Sequence, residues 1–289
     1  MKLTFFGGAE TVTGSKILLE TETKKVLIDC GLFQGIKELR LKNWEEFPIE
    51  LNEIDAVFLT HAHLDHSGYL PILTKNGYKG TVNCTKATKE LAEIILLDSA
   101  KIQEEDANRA NRYGYTKHKP AKPLYNVDDV KQCLSKFKTF ELYKWHNIDN
   151  TIKFKLLNSG HILGSSFVVL DVNGKIIVFS GDIGRKKPLI LPRYDYIKKA
   201  DYLVVESTYG NRIHGENSVT SELLKYINHT FSKGGILAIP TFSVERAQEI
   251  IYLLSKLKRN NQLPNIPIYL DSPMGVNATN VYFANKNNH

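Results

Sequence analysis

The sequence predicts an α/β chain, on three observations. Short β-branched runs bounded by Gly, Asn or Asp recur through the first two hundred or so residues. One long apolar pattern of helical period lies at 85–110. After Glu206, strand-like and helix-like runs alternate, which implies parallel, doubly wound packing.

Taken in order, 2–7, 15–20, 24–30, 54–60 and 81–84 read as strands. In 85–110, Leu91, Ile94, Ile95, Ala100, Ile102 and Ala107 fall near the 3.6-residue period of one helix face. The continuation from Asn111 through Pro120 and Pro123 reads as a loop. Strand patterns return at 152–157, 167–172, 175–180 and 202–206. Beyond them, 218–231 reads as a helix, 235–240 as a strand, 243–258 as a long amphipathic helix and 266–270 as a strand. The change of texture near 207–211 places a domain boundary there, giving domains 1–207 and 208–289.

With 289 residues, 42% of them hydrophobic and 24% charged, the chain can build a sizeable core and has the balance of a soluble globular protein. No apolar run approaches the ~20 residues of a membrane span. The opening Met1-Lys2-Leu3-Thr4-Phe5-Phe6-Gly7-Gly8 has no room for a signal peptide, so a cytoplasmic location is expected. Cys30, Cys84 and Cys133 are odd in number and widely spaced, which argues against a disulfide framework and a Cys-x-x-Cys metal site. Three reduced, buried thiols are expected. Lys and Arg outnumber Asp and Glu by 38 to 31, a net charge of +7 that favours a polyanionic partner. Arg185, Lys186, Lys187, Arg193, Lys198 and Lys199 cluster downstream of Asp182. Patches around Lys117 and Lys256 read as solvated faces.

The segment His61-Ala62-His63-Leu64-Asp65-His66 packs three imidazoles and one carboxylate into six residues after the apolar run 54–60. Neutral imidazole and carboxylate are the usual ligands of zinc and related divalent ions, whereas structural zinc sites usually add thiolates. With no cysteine in the cluster, it reads as a hydrolytic site that leaves a position open for water. A dinuclear site needs more ligands than one loop supplies. His161 lies in the glycine-flanked turn Ser159-Gly160-His161-Ile162-Leu163-Gly164, and Asp182 in Ser180-Gly181-Asp182-Ile183-Gly184 after an apolar run. Asp29 ends another strand, before Cys30-Gly31. Ser165 lacks the Gly-x-Ser-x-Gly context of a nucleophile, and Gly7-Gly8 lacks the spacing of a phosphate loop. Glu10 reads as a solvated turn residue. His118, His146, His214 and His229 are isolated and expected at surface or satisfied positions. Arg246 reads equally as a phosphate contact or an ordinary surface residue.

The set Asp29, His61-x-His63-x-Asp65-His66, His161 and Asp182 resembles the metallo-β-lactamase fold, and the stretch from Glu206 onward resembles the subgroup with a β-CASP cap, nucleases of RNA and DNA processing. Gly7-Gly8-Ala9-Glu10-Thr11-Val12-Thr13-Gly14-Ser15, Asp29-Cys30-Gly31-Leu32-Phe33-Gln34-Gly35 and Asp271-Ser272-Pro273-Met274 support the likeness over nearly the whole chain. Gln103-Glu104-Glu105 and Glu206-Ser207-Thr208-Tyr209-Gly210 narrow it to the RNA-processing branch near the polyadenylation endonuclease.

The resemblance implies an αββα sandwich followed by the first part of a doubly wound α/β cap, and two zinc ions. It assigns His61, His63 and His161 to one zinc, Asp65 and His66 to the second, and Asp182 as the bridge. Asp29 would orient the ligand loop. Asp65, Asp182 and Glu206 would carry the catalysis, with Glu206 paired to a histidine from later in the chain. Arg185, Lys186 and Lys187 would track an RNA backbone. The expected activity is hydrolysis of RNA phosphodiester bonds, internally or from the 5′ end. The alternatives are hydrolysis of a small thioester or lactone, and a non-catalytic RNA-binding protein. RNA and a second copy of the chain in a homodimer are the expected partners, with no membrane. In the resembled family the chain returns from the cap to supply further histidines, and the terminal His289 sits in no matching motif. The chain therefore reads as an N-terminal portion whose second metal site lacks one ligand, whose turnover is poor, and whose core exposes sheet edge and apolar surface.

Overall fold

β8 (Ile152–Asn158) follows the strand rule plainly: Ile152, Phe154 and Leu156 are buried while Lys153 is exposed, because successive side chains point to opposite faces of the pleat. The computed structural model describes residues 1–213 and 219–286. His214, Ser218 and His289 lie outside the described residues.

β1 (Lys2–Gly7), β2 (Lys16–Glu20), β3 (Lys25–Ile28), β4 (Ala56–Phe58), β5 (Thr81–Cys84) and β6 (Phe137–Thr139) form one sheet in sequential order. The first three pair antiparallel and the rest parallel. Its parallel centre reads as unbroken apolar sequence because both faces are covered: Val26, Leu27, Ile28, Ala56, Val57 and Phe58 are all buried. β7 (His146–Asn147), β8, β9 (Ser166–Val172), β10 (Lys175–Phe179) and β11 (Tyr202–Val204) form the second sheet, antiparallel except for the β10–β11 pair.

The sheets pack face to face. Leu19, Ile28 and Phe58 of the first meet Phe154, Leu170 and Phe179 of the second, with the Phe58 and Phe154 rings edge to face at 4.6 Å. On the far side of the first sheet, Leu27, Val57 and Val82 pack under α3 (Leu70–Lys75), α4 (Lys86–Tyr113) and α5 (Val127–Leu134). The Thr85 side chain caps α4 by accepting from Thr88 N. The helix runs three residues past the expected end at 110, until Gly114 takes φ +64° and caps it. α5 falls in a region with no expected helix; its start is fixed by a reciprocal capping box between Asn126 and Asp129. Two short helices, α1 (Lys37–Leu41) and α2 (Leu64–Ser67), sit in the loops after β3 and β4.

The outer face of the second sheet is covered by irregular chain at 183–200. Ile183, Tyr194 and Ile197 lie over Phe167, Val169 and Val178. Pro188 and Pro192 lack the N–H groups a helix there would need.

After β11 come α6 (Val219–Ser232), α7 (Arg246–Arg259) and α8 (Pro273–Ala284). The strands expected at 235–240 and 266–270 do not form: neither segment joins a ladder among the described residues, and Ile236 and Tyr269 are 95% and 85% exposed. Their apolar, β-branched composition supplies propensity but no partner edge. α8 was not expected; Ser272 caps it by accepting from Gly275 N, with Pro273 in its first turn. It packs on α4, where Asn285 Nδ2 donates to Glu90 Oε2 at 2.7 Å. Among the described residues no helix is long and apolar enough to cross a membrane.

Candidate metal centre

The C-terminal ends of β3, β4, β8 and β10 converge, and each carries a candidate residue into the loop that follows. Asp29 takes φ +59° directly after β3, and its N–H donates to Phe58 O of β4. Its carboxylate accepts from Thr60 N at 2.8 Å and from Thr60 Oγ1 at 2.9 Å. The ring of His66 donates from Nδ1 to the same carboxylate at 2.7 Å. Backbone bonds from Cys30 to His66 and from Leu32 to Leu64 stitch the two loops together. The loops carrying His161 and Asp182 are pressed even closer. Gly184 N donates to Ser159 O at 2.8 Å, and a Cβ on Gly184 would lie 1.8 Å from Gly160 O. Ser165 Oγ holds the turn at His161 by accepting from His161 N.

These anchors bring His61, His63, His161 and Asp182 into one group, with ligand atoms all within 4.8 Å of one another. His63 Nδ1 lies 3.1 Å from both His61 Nε2 and His161 Nε2. Asp182 Oδ2 lies 3.3 Å from His161 Nε2 and 3.7 Å from His61 Nε2. One ring nitrogen cannot satisfy two others by sharing a single proton. Four ligands at zinc's bond lengths of about 2.0–2.1 Å, tetrahedrally disposed, stand about 3.4 Å apart, so donor type and spacing both fit a metal ion. The other oxygen of Asp182, Oδ1, faces His66 Nε2 at 3.2 Å, and Asp65 Oδ2 is 3.7 Å from the same nitrogen. Asp182 thus stands between two groups of candidate ligands.

Burial pushes His61 well below the usual imidazole range, assisted by its imidazole neighbours. Burial likewise lowers His161, and lowers His63 to about 4. Neutral imidazole is the ligating form. Burial opposes charge on His66, but Asp29 on one side and Asp182 on the other outweigh it and hold the ring well above the usual value. Burial also works against ionised Asp182, yet the hydrogen bond from His66 and the surrounding imidazoles bring its carboxyl down to about 2. Asp65 is raised, chiefly by burial. A carboxylate pair that keeps a proton on His66 also suits a cation, whose binding would release that proton.

Other candidates land elsewhere. Glu206 Oε1 accepts from Ile183 N at 2.8 Å, holding the loop of Asp182, and no histidine pairs with it among the described residues. Arg185, Lys186 and Lys187 are exposed. Arg246 is half-buried and paired with Glu249. His118 and His229 are exposed as expected. His146 is not: its ring packs against Phe140 and Phe154, and its buried Nε2 has no hydrogen-bond partner among the described residues. The three cysteines are buried free thiols, each pushed up to about 12 by burial. Glu10 is exposed at φ +57° on the rim of a groove of about 630 Å³ that Asp29, His66, Asp182 and Glu206 also line. Thr60 is not a residue that the sequence alone singles out, although it directly precedes the histidine motif. Its hydroxyl bonds Asp29 and sits 3.0 Å from His61 Nδ1.

Two family models match the chain. Residues 18–208 match the metallo-β-lactamase superfamily domain, and residues 247–289 match the β-CASP domain. Ribonuclease TTHA0252 of Thermus thermophilus is 40% identical over 283 residues, covering 98% of this chain and 61% of that protein. An RNase J-like protein of Methanocaldococcus jannaschii is 31% identical, with coverage of 98% and 61%. The transcription termination factor FttA of the same organism is 31% identical over 94% of this chain and 42% of its own length. The chain thus spans about 61% of the length of the first two relatives.

Proposed function

Because the chain belongs to the metallo-β-lactamase superfamily, we propose that its centre holds two zinc ions and hydrolyses phosphodiester bonds of RNA. The observation that carries this reading is the placement of Asp182, with Oδ2 toward His61 and His161 and Oδ1 toward His66. His61, His63 and His161 would hold the first ion, Asp65 and His66 the second, and Asp182 both. When bound, the metal supplies Lewis acidity, acidifying water and withdrawing charge from the phosphate.

The chain's own residues prepare that chemistry. Asp29 fixes the tautomer and direction of His66 through Nδ1. Thr60 ties Asp29 to His61, so one buried carboxylate orients ligands of both groups. Glu206 fixes the position of Asp182 through Ile183 N. RNA is the favoured substrate because two of the relatives are named as a ribonuclease and an RNase J-like protein, and because the net charge is +7.

Incubation with end-labelled RNA and with a generic thioester, each with and without chelator, tests the reading. RNA cleavage that chelator abolishes, zinc restores and Asp182→Ala or His63→Ala removes is expected. Thioester turnover without RNA cleavage, or full activity in His63→Ala, would overturn it.

A further inference from the structure

Segment 183–200 carries a feature the centre does not use. Arg193 lies against two aromatic rings, its guanidinium carbon 5.4 Å from the Tyr194 ring centroid and 4.8 Å from that of Tyr196. The two rings meet edge to face at 5.9 Å, and Arg193 also donates to the Tyr196 hydroxyl. Tyr194 points inward and packs on the outer face of the second sheet. Tyr196 is 65% exposed, so packing for stability does not account for its ring.

This short run is nevertheless held firmly, and held to the centre. Asn158, at the end of β8, donates from Nδ2 to Arg193 O at 2.9 Å. Asp195 N returns a bond to Asn158 O at 2.9 Å, while the Asp195 carboxylate turns back to accept from Asn158 N at 2.8 Å. Gly160, at φ +65°, lets Tyr194 come close: a Cβ there would lie 2.8 Å from Tyr194 N. The next residue is His161. An exposed aromatic ring is thus backed by a guanidinium, and the residues Arg193 and Asp195 that flank its position are pinned to Asn158 by three hydrogen bonds, beside a candidate metal ligand. Lys198 and Lys199 follow it on exposed chain.

We propose that Arg193 and Tyr196 form a stacking platform for an unpaired base of a single-stranded RNA, seating the strand next to the His161 loop. Aromatic and guanidinium faces stack on any base, and the adjacent cations track the backbone, which is how single strands are held without sequence readout. A duplex keeps its bases stacked on one another and offers none to such a platform. The proposal rests on the RNA reading above and narrows it to single strands.

Fluorescence anisotropy of a labelled single-stranded RNA and of its duplex, titrated with the 289-residue chain in EDTA, reads binding without cleavage. Tyr196→Ala is expected to raise the Kd for the single strand at least about fivefold, the low end for one lost stacking contact. Tyr196→Phe keeps the ring and is expected to retain wild-type affinity, with duplex binding unchanged in both variants. Unchanged single-strand affinity in Tyr196→Ala, or an equal loss on single strand and duplex, would overturn the platform while leaving the RNA reading intact. A wild-type chain that binds neither RNA would overturn the platform, while the RNA reading is tested separately by the cleavage assay above.

Discussion

Asp29 holds three donors at once, from Thr60 N, Thr60 Oγ1 and His66 Nδ1, and does so from a left-handed backbone that costs a non-glycine residue about 1–2 kcal/mol. Asp29→Asn preserves the shape but removes the charge opposite His66 and places an amide donor where two other donors point. Groups that orient metal ligands are typically worth 10–100-fold in affinity. The variant is therefore expected to bind zinc 10–100-fold more weakly, read by competition with a chromophoric chelator; an unchanged Kd would remove Asp29 from the account. At this scale the candidate ligands were legible because chemistry-bearing residues follow apolar runs and sit beside glycines. Thr60 was not, because its bond to Asp29 spans 31 residues and exists only through the pairing of β3 with β4.

Among the elements, strands with a buried face were readable, and two runs of strand composition that find no partner edge among the described residues were not strands. The runs at 235–240 and 266–270 have strand composition, yet strand composition acts only when an edge is available. α8 escaped notice because its apolar residues form no clear stripe, although Ser272-Pro273 is a helix-start signal. It matters to the centre. Tyr282 accepts from Leu163 N at 3.3 Å, two residues past His161, and donates to Glu245 Oε2. Burial raises Glu245 to about 7, the hydrogen bond from Tyr282 offsetting only part of that effect. A raised acid favours the folded state while protonated, so this contribution is lost as pH rises from the unfolded value near 4.5 through about 7. Between pH 5.5 and 8, Tm of the wild type is expected to fall more, or rise less, than that of Glu245→Gln. The difference between the two slopes isolates Glu245, since all other titrating groups are common to both proteins. Equal slopes would contradict the assignment.

For the molecule as a whole, a net charge of +7 predicts salt-dependent RNA affinity. Each phosphate contact on a single strand contributes about 0.7 to the slope of log K against log salt. Replacing Arg185, Lys186 and Lys187 by Ala is expected to lower that slope by up to about 2, and an unchanged slope would make the three an ordinary solvated face. The two-sheet core and its loop-borne centre were legible from alternation and motif. The irregular cover at 183–200 and the packing of α8 on α4 were not, since both depend on which surfaces meet. The reading above has Asp182 join two metal sites. Calorimetric titration of zinc into chelator-stripped protein tests it most directly. Two binding events are expected, the tighter lost in His63→Ala and both weakened in Asp182→Ala. No binding, or a wild-type isotherm in Asp182→Ala, would contradict it.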